Sequence, residues 1–176
     1  MDIVLKCNNL LLRRPTQDDV EELVELKNNK AASRLLGGNT PTYTQESISR
    51  WIDFHNNNLE EVLLVIYDEI RSKLIGHVGL YKIDRVAMKT EFGILLADDD
   101  SRGKGYGTIC TKTMVDYAFD VLGMHKVYAQ VLSENKASKA MFRKCGFQID
   151  GVFRDDVLKN GHYYDVLMMS ILDNER

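Results

Sequence analysis

Apolar positions recur along this chain at two spacings, and the switches between them predict its elements. Leu10-Leu11-Leu12-Arg13-Arg14 is a short apolar run stopped by Pro15, the pattern of a strand. Thr16-Gln17-Asp18-Asp19 then opens a helix. Its hydroxyl can cap, and aspartates suit the positive helix end. Val20, Leu23 and Val24 form that helix's stripe, and Ile48, Trp51 and Ile52 repeat the i, i+3, i+4 spacing in a second helix starting near Thr44. Gly37-Gly38-Asn39-Thr40-Pro41 between them reads as a flexible loop.

Strands are expected over Val62–Tyr67, Lys73–Ile83 and Thr90–Leu96. Gly76 and Gly79 inside the second mark a bulge or a close backbone approach. Cys110, Met114, Tyr117 and Val121 return to helical spacing, ended by Gly123. His125–Leu132 predicts another strand. Asn135 caps a short helix through Lys144, with Ala137, Ala140 and Met141 on one side, and Gly146-Phe147 ends it. Val152–Leu158 and Tyr163–Ile171 are strands joined around Asn160-Gly161, a strong hairpin signal. The expected order is β-α-α-β-β-β-α-β-α-β-β. It predicts an α/β (α+β) fold with a mixed, mostly antiparallel sheet. One strand–loop–helix–strand crossover has parallel flanking strands.

A length of 176 residues suits a single domain over 1–176. The net charge of −3 argues against nucleic acid as partner and suits a cationic amine. Apolar runs such as Val62–Tyr67 fall far short of the roughly 20 residues that span a bilayer, so no membrane association is expected. The start Met1-Asp2-Ile3-Val4 has no signal-peptide pattern. Cys7, Cys110 and Cys145 form no metal spacing and no even disulfide set, so a reduced, cytoplasmic protein is expected.

The chemistry concentrates at Arg102-Gly103-Lys104-Gly105-Tyr106-Gly107, between a strand and a helix start. Such a loop cradles phosphate: glycines admit close approach, and free N–H groups and the helix dipole attract the anion. Arg102 and Lys104 add charge. The run lacks the Lys-Ser/Thr of a P-loop and the glycine spacing of a dinucleotide fingerprint.

Arg102, Gly105 and Gly107 do match Gln/Arg-x-x-Gly-x-Gly/Ala, and the chain thereby resembles the GCN5-related N-acetyltransferases (GNAT). Asn135-Lys136-Ala137-Ser138 is similar to the helix start of that family, and Phe142-Arg143-Lys144-Cys145-Gly146-Phe147 to its Tyr-x-x-x-Gly-Phe ending. Asn160-Gly161-His162-Tyr163 and the opening Leu10–Asp19 segment resemble the RimJ/RimL-type ribosomal-protein and spermidine N-acetyltransferase branches. The resemblance covers nearly the whole chain. It implies the GNAT fold, with helices on both faces of the sheet and the family's fourth and fifth strands splayed. It also implies acetyl-CoA as cofactor, CoA as product, and no metal. The pantetheine would pair with the backbone of Ile94, Leu95 and Leu96, the diphosphate would sit on Arg102 to Thr108 (Gly103, Lys104, Gly105, Tyr106 and Gly107 included), and Asn135 would reach the pantetheine or thioester side.

The implied reaction is direct attack of a primary amine on the thioester, needing a base and an oxyanion donor but no enzyme nucleophile. Glu91 matches the acidic residue of the spermidine branch and serves as base or water relay, as amine contact, or only as a rim carboxylate. Phe142 stands where the family's acid is usually a tyrosine. Ser138, one turn earlier on that helix face, is the candidate acid, or it simply binds backbone groups. The acceptor is a small-molecule amine (a polyamine or an aminosugar) or a protein N-terminal amine, with a homo-oligomer left open. The rival reading is a non-catalytic acyl-CoA-binding or regulatory module. Cys145 is expected as a packed residue, Trp51 as core or acceptor-site wall, and Asp98-Asp99-Asp100 as a solvated turn. His77, His125 and His162 have no ligand-like spacing.

Overall fold

A computed structural model describes residues 3–33, 41–101 and 103–176. The described elements are β1 (Val4–Cys7), β2 (Leu10–Arg13), α1 (Val20–Asn28), α2 (Lys30–Ser33), α3 (Gln45–Asn57), β3 (Val62–Asp68), β4 (Lys73–Asp84), β5 (Lys89–Leu96), α4 (Tyr106–Asp120), β6 (Lys126–Leu132), α5 (Lys136–Lys144), β7 (Gln148–Lys159) and β8 (His162–Leu172). The strands form one sheet in the order β1-β2-β3-β4-β5-β6-β8-β7. Pairing is antiparallel except between β5 and β6, the strands flanking the crossover.

Helices cover both faces. Leu64 and Ile66 of β3 and Val78 and Leu80 of β4 bury against Cys110, Met114 and Ala118 of α4. The alternate position, Val65, joins Leu74 in a second core with Leu23 of α1 and Ile48 and Ile52 of α3. The period-2 alternation of the strands thus feeds two cores from one sheet. At Asn160 and Gly161 the backbone takes φ of 50° and 79°, the left-handed pair that closes a tight hairpin between β7 and β8.

Several expectations are corrected. β1 went unpredicted because this edge strand is only half covered, so its residues carry no apolar alternation. The first helix is preceded by a 3-10 turn, Gln17–Asp19, in which the Asp19 carboxylate accepts the Thr16 N–H at 2.7 Å and grips Arg13 through both oxygens at 2.7 Å. The one-turn α2 was also missed. Val121, expected on the apolar stripe of α4, lies past its end and is 65% exposed. The expected loop at 37–41 lies outside the described residues except for Pro41.

Candidate active site

The helix that follows the glycine loop begins with three N–H groups that have no partner within the helix. The first intrahelical bond in α4 runs from Ile109 N to Gly105 O, so Tyr106, Gly107 and Thr108 precede it. Gly105 is the N-cap and has φ +77°, and Gly103 has φ +75°. A side chain at either would be strained by the backbone, yet among the described residues nothing beyond the chain neighbours lies within 4 Å of where its Cβ would stand. The loop therefore presents bare backbone at a positive helix end, which fits a diphosphate. Gly107 has a different reason: its Cβ would stand 2.8 Å from Sδ of Met141 and 3.4 Å from a Leu96 methyl, so its absence lets α4 lie against α5 and β5.

Below the loop lies a groove of about 510 Å³. Ile94, Leu95, Leu96, Gly103, Gly105, Tyr106, Gly107, Thr108, Asn135 and Ser138 all line it. These expected residues are brought together from β5, the loop, α4 and α5. Lys104 is exposed and does not line the groove, and Arg102 lies outside the described residues. Ala137 and Ala140, expected on one side of α5, line the groove, with Met141 and Lys144 beside them. Asn135 Oδ1 accepts the Ser138 N–H at 3.0 Å, so that oxygen caps α5. The Ser138 hydroxyl makes no hydrogen bond among the described residues.

β5 and β6 pair only at Lys89–Lys126, Thr90–Val127 and Glu91–Tyr128. Beyond Glu91 they part, and a cavity of about 180 Å³ opens between Gly93 and Ile94 on one side and Gln130, Val131 and Leu132 on the other. Ile94, Asn135 and Ser138 belong to this cavity and to the larger groove, so the two are continuous. Phe142 lies under the cavity, buried edge-on against Phe92 with ring centroids 5.8 Å apart.

Glu91, on the last paired rung, lines neither space. Its cross-strand partner in β4 is Tyr81, so the two share a face of the sheet. A Cβ at Gly79 would stand 2.6 Å from the Tyr81 hydroxyl, and one at Gly93 would stand 3.1 Å from the same ring. Gly79 and Gly93 are themselves cross-strand partners, so the phenol lies flat over a side-chain-free floor beside the split. Burial, then the nearby Glu61 and Glu91, push its pKa up and keep it protonated. The expectation of a close approach at Gly79 thus finds its cause, and Gly76 has one too: its Cβ would collide with the Leu95 carbonyl oxygen.

Sequence reasoning missed the basic groups on this face. Lys82 Nζ binds Glu91 Oε2 at 2.7 Å, and His55 Nδ1 lies 2.5 Å from Glu61 Oε2. Lys27 Nζ stands 4.2 Å above the Trp51 ring, which also meets His55 and the half-buried His77. Burial lowers the Lys27 pKa to about 8. Trp51 packs on the α1/α3 core, within the expected alternatives.

Asp98 is not part of a solvated turn. Arg71 and Ser101 each donate to its Oδ2, at 2.7 and 2.6 Å, and Lys73 binds Oδ1. Burial alone would raise this carboxyl, but those hydrogen bonds outweigh it and hold the pKa well below the usual range. The network braces the chain just before the glycine loop. Cys145 is buried, with Sγ 3.7 Å from the Thr108 carbonyl, as a packed residue should be. Among the described residues no helix is long and apolar enough to cross a membrane.

A split parallel pair, a helix start aimed into a groove, and a continuous path between them define an acyl-CoA-dependent transferase. Residues 9–148 match the acetyltransferase (GNAT) domain family, and the chain belongs to it. It is 28% identical to a spermidine N(1)-acetyltransferase of Vibrio cholerae over 168 residues, 96% of this chain and 95% of that one. It is 34% identical to the probable N-acetyltransferase YjcK of Bacillus subtilis over 134 residues, 74% of each chain. The crystal structure of the Vibrio cholerae spermidine N-acetyltransferase in complex with CoA and spermine superimposes with a TM-score of 0.86 at 27% identity, covering 95% of this chain and 97% of that one. This chain is an N-acetyltransferase that uses acetyl-CoA.

Proposed function

We propose that the enzyme acetylates a primary amine by direct attack on acetyl-CoA in a ternary complex. The observation that carries this reading is the position of Glu91 on the last rung before the β5/β6 split, on the face opposite the α4 core. Donor and acceptor then meet at the split from two sides of the sheet.

In this reading the free N–H groups of Tyr106, Gly107 and Thr108, with the open backbone at Gly103 and Gly105, hold the diphosphate, and Arg102 and Lys104 add charge. The edge of β5 that β6 leaves unpaired, Ile94 to Leu96, offers its backbone to the pantetheine as an added strand would. A β5 backbone N–H beside the split stabilises the oxyanion. The amine nitrogen bonds to the carbonyl carbon, the C–S bond breaks, and the sulfur leaves as CoA thiolate. Glu91 accepts the amine proton through water, and the Ser138 hydroxyl protonates the sulfur and regains its proton from solvent as Glu91 releases its own.

Turnover of acetyl-CoA against an amine panel tests the proposal, read as release of CoA thiol. The panel contains a linear polyamine, placed first because relatives are spermidine N-acetyltransferases, an aminosugar, and a peptide with a free N-terminal amine. N-acetylated product from at least one is expected. CoA binding without turnover of any would instead support the non-catalytic module.

A further inference from the structure

The strand β4 loses its alternation at two places, once opposite Ile66/Tyr67 of β3 and again, toward its end, between Tyr81 and Asp84. His77, Gly79 and Tyr81 face α1 and α3: the His77 ring meets Trp51, and the Tyr81 ring meets His55. Val78, Leu80 and then Ile83 enter the opposite core. Strict alternation would send Lys82, not Ile83, into that core. The register with β5 shifts between Tyr81 and Asp84, and Lys82 takes the left-handed conformation at φ 51°. A bulge of this kind re-aims a side chain, and a non-glycine residue is strained in it. Here the bulge turns the lysine onto Glu91, with Nζ 2.7 Å from Oε2.

We infer that Lys82 is a specificity-determining residue whose ammonium occupies the Glu91 carboxylate as a resident cation, selecting a single-amine acceptor over a polycation. The inference rests on the reading that Glu91 meets the acceptor amine. Lys82 is 69% exposed while Glu91 is 20% exposed, so the cation sits on the solvent side, where an incoming amine can displace it. Glu61, the other carboxylate near Tyr81, also holds a basic partner in His55. A polycation therefore finds the Glu91 carboxylate compensated and Glu61 already engaged with His55, and its further ammonium groups meet the positive charge of Lys82. A lone amine is better served, because a neighbouring cation favours its neutral, nucleophilic form.

The test compares kcat/KM for a linear triamine and an alkyl monoamine in the wild type, Lys82→Met and Lys82→Arg. Lys82→Met is expected to raise the triamine-to-monoamine ratio about 3-fold, mainly through KM, a size typical of one partly exposed charge pair. Lys82→Arg should keep the wild-type ratio, and the rise in melting temperature with CoA should be the same in all three. An unchanged ratio in Lys82→Met, or an equal loss for both amines, overturns the inference. Glu91→Gln is measured alongside. Wild-type kcat/KM in that variant refutes the role of Glu91 itself. If Glu91 does meet the amine, Lys82→Met should change the ratio less in the Glu91→Gln background than in the wild type.

Discussion

Asn135 Oδ1 accepts the backbone N–H of Ser138 at 3.0 Å and so fixes the first turn of α5 at the point where the groove meets the β5/β6 split. The bond positions the Ser138 hydroxyl without consuming it. Ser138→Ala should therefore lower kcat about 10-fold or more, within the range of acid–base groups, and leave the CoA-induced rise in melting temperature intact. Asn135→Ala should behave differently. Losing the cap costs about 1 kcal/mol, or roughly 2–4 °C for a chain of this size. Steady-state kinetics beside thermal melts separate the two. Equal kcat in wild type and Ser138→Ala would leave the thiolate to depart without this acid.

CoA and acetyl-CoA should raise the melting temperature with concentration, since a ligand that binds only the folded state stabilises it by mass action. Gly105→Glu should abolish the shift. Its backbone would be strained at φ +77°, and its carboxylate would stand where the diphosphate belongs. Gly105→Ala imposes the same backbone strain without the charge and should retain part of the shift. A full CoA response in Gly105→Glu would move the diphosphate elsewhere.

Lys27 gives a prediction in stability against pH. Burial lowers its pKa from 10.5 to about 8. Below about pH 8 folded and unfolded chains both carry the proton, and the folded state bears the full desolvation cost. Between about 8 and 10.5 the unfolded chain binds more protons, so this group's contribution to stability rises with pH. Lys27→Met removes the buried charge and keeps most of the volume over Trp51. It should melt roughly 2–4 °C higher at pH 7, equivalent to about 1 kcal/mol, with the gap closing toward pH 10. A variant that melts lower at pH 7 would mean that the ring contacts outweigh the burial cost.

The order of elements and the groove below the glycine loop were legible in the sequence because both rest on local signals. Gly105 is needed where the backbone turns left-handed, Asn135 caps its own helix, and Asn160-Gly161 closes its own hairpin. The Glu91 face of the sheet was largely illegible because its contacts are nonlocal. Glu91 was singled out, but its partner Lys82 was not, since a single-residue bulge in β4 breaks the period-2 pattern that would assign its face. Tyr81 was missed because its place depends on two glycines of different strands meeting as partners. Asp98 was misread because the cations that neutralise it, Arg71 and Lys73, arrive from another part of the chain.

Glu91→Gln is the most direct test of the mechanism. An alkylamine has an unperturbed pKa of about 10.4 and is mostly protonated at pH 7, so the enzyme must bind an ammonium and then remove its proton. A carboxylate attracts the cation and relays the proton through water, and an amide of the same shape does neither. Glu91→Gln should lose most of its kcat/KM near neutral pH and recover part of it as pH rises and free amine becomes abundant. CoA binding should be unchanged, because Glu91 lines neither the groove nor the cavity beside it. A variant in which only KM rises would make Glu91 an amine anchor rather than a base. Wild-type kcat/KM from pH 6 to 9 with the true acceptor would make it structural, and the next residue to test would be Glu61, whose carboxylate lies on the same side of Tyr81's face of the sheet.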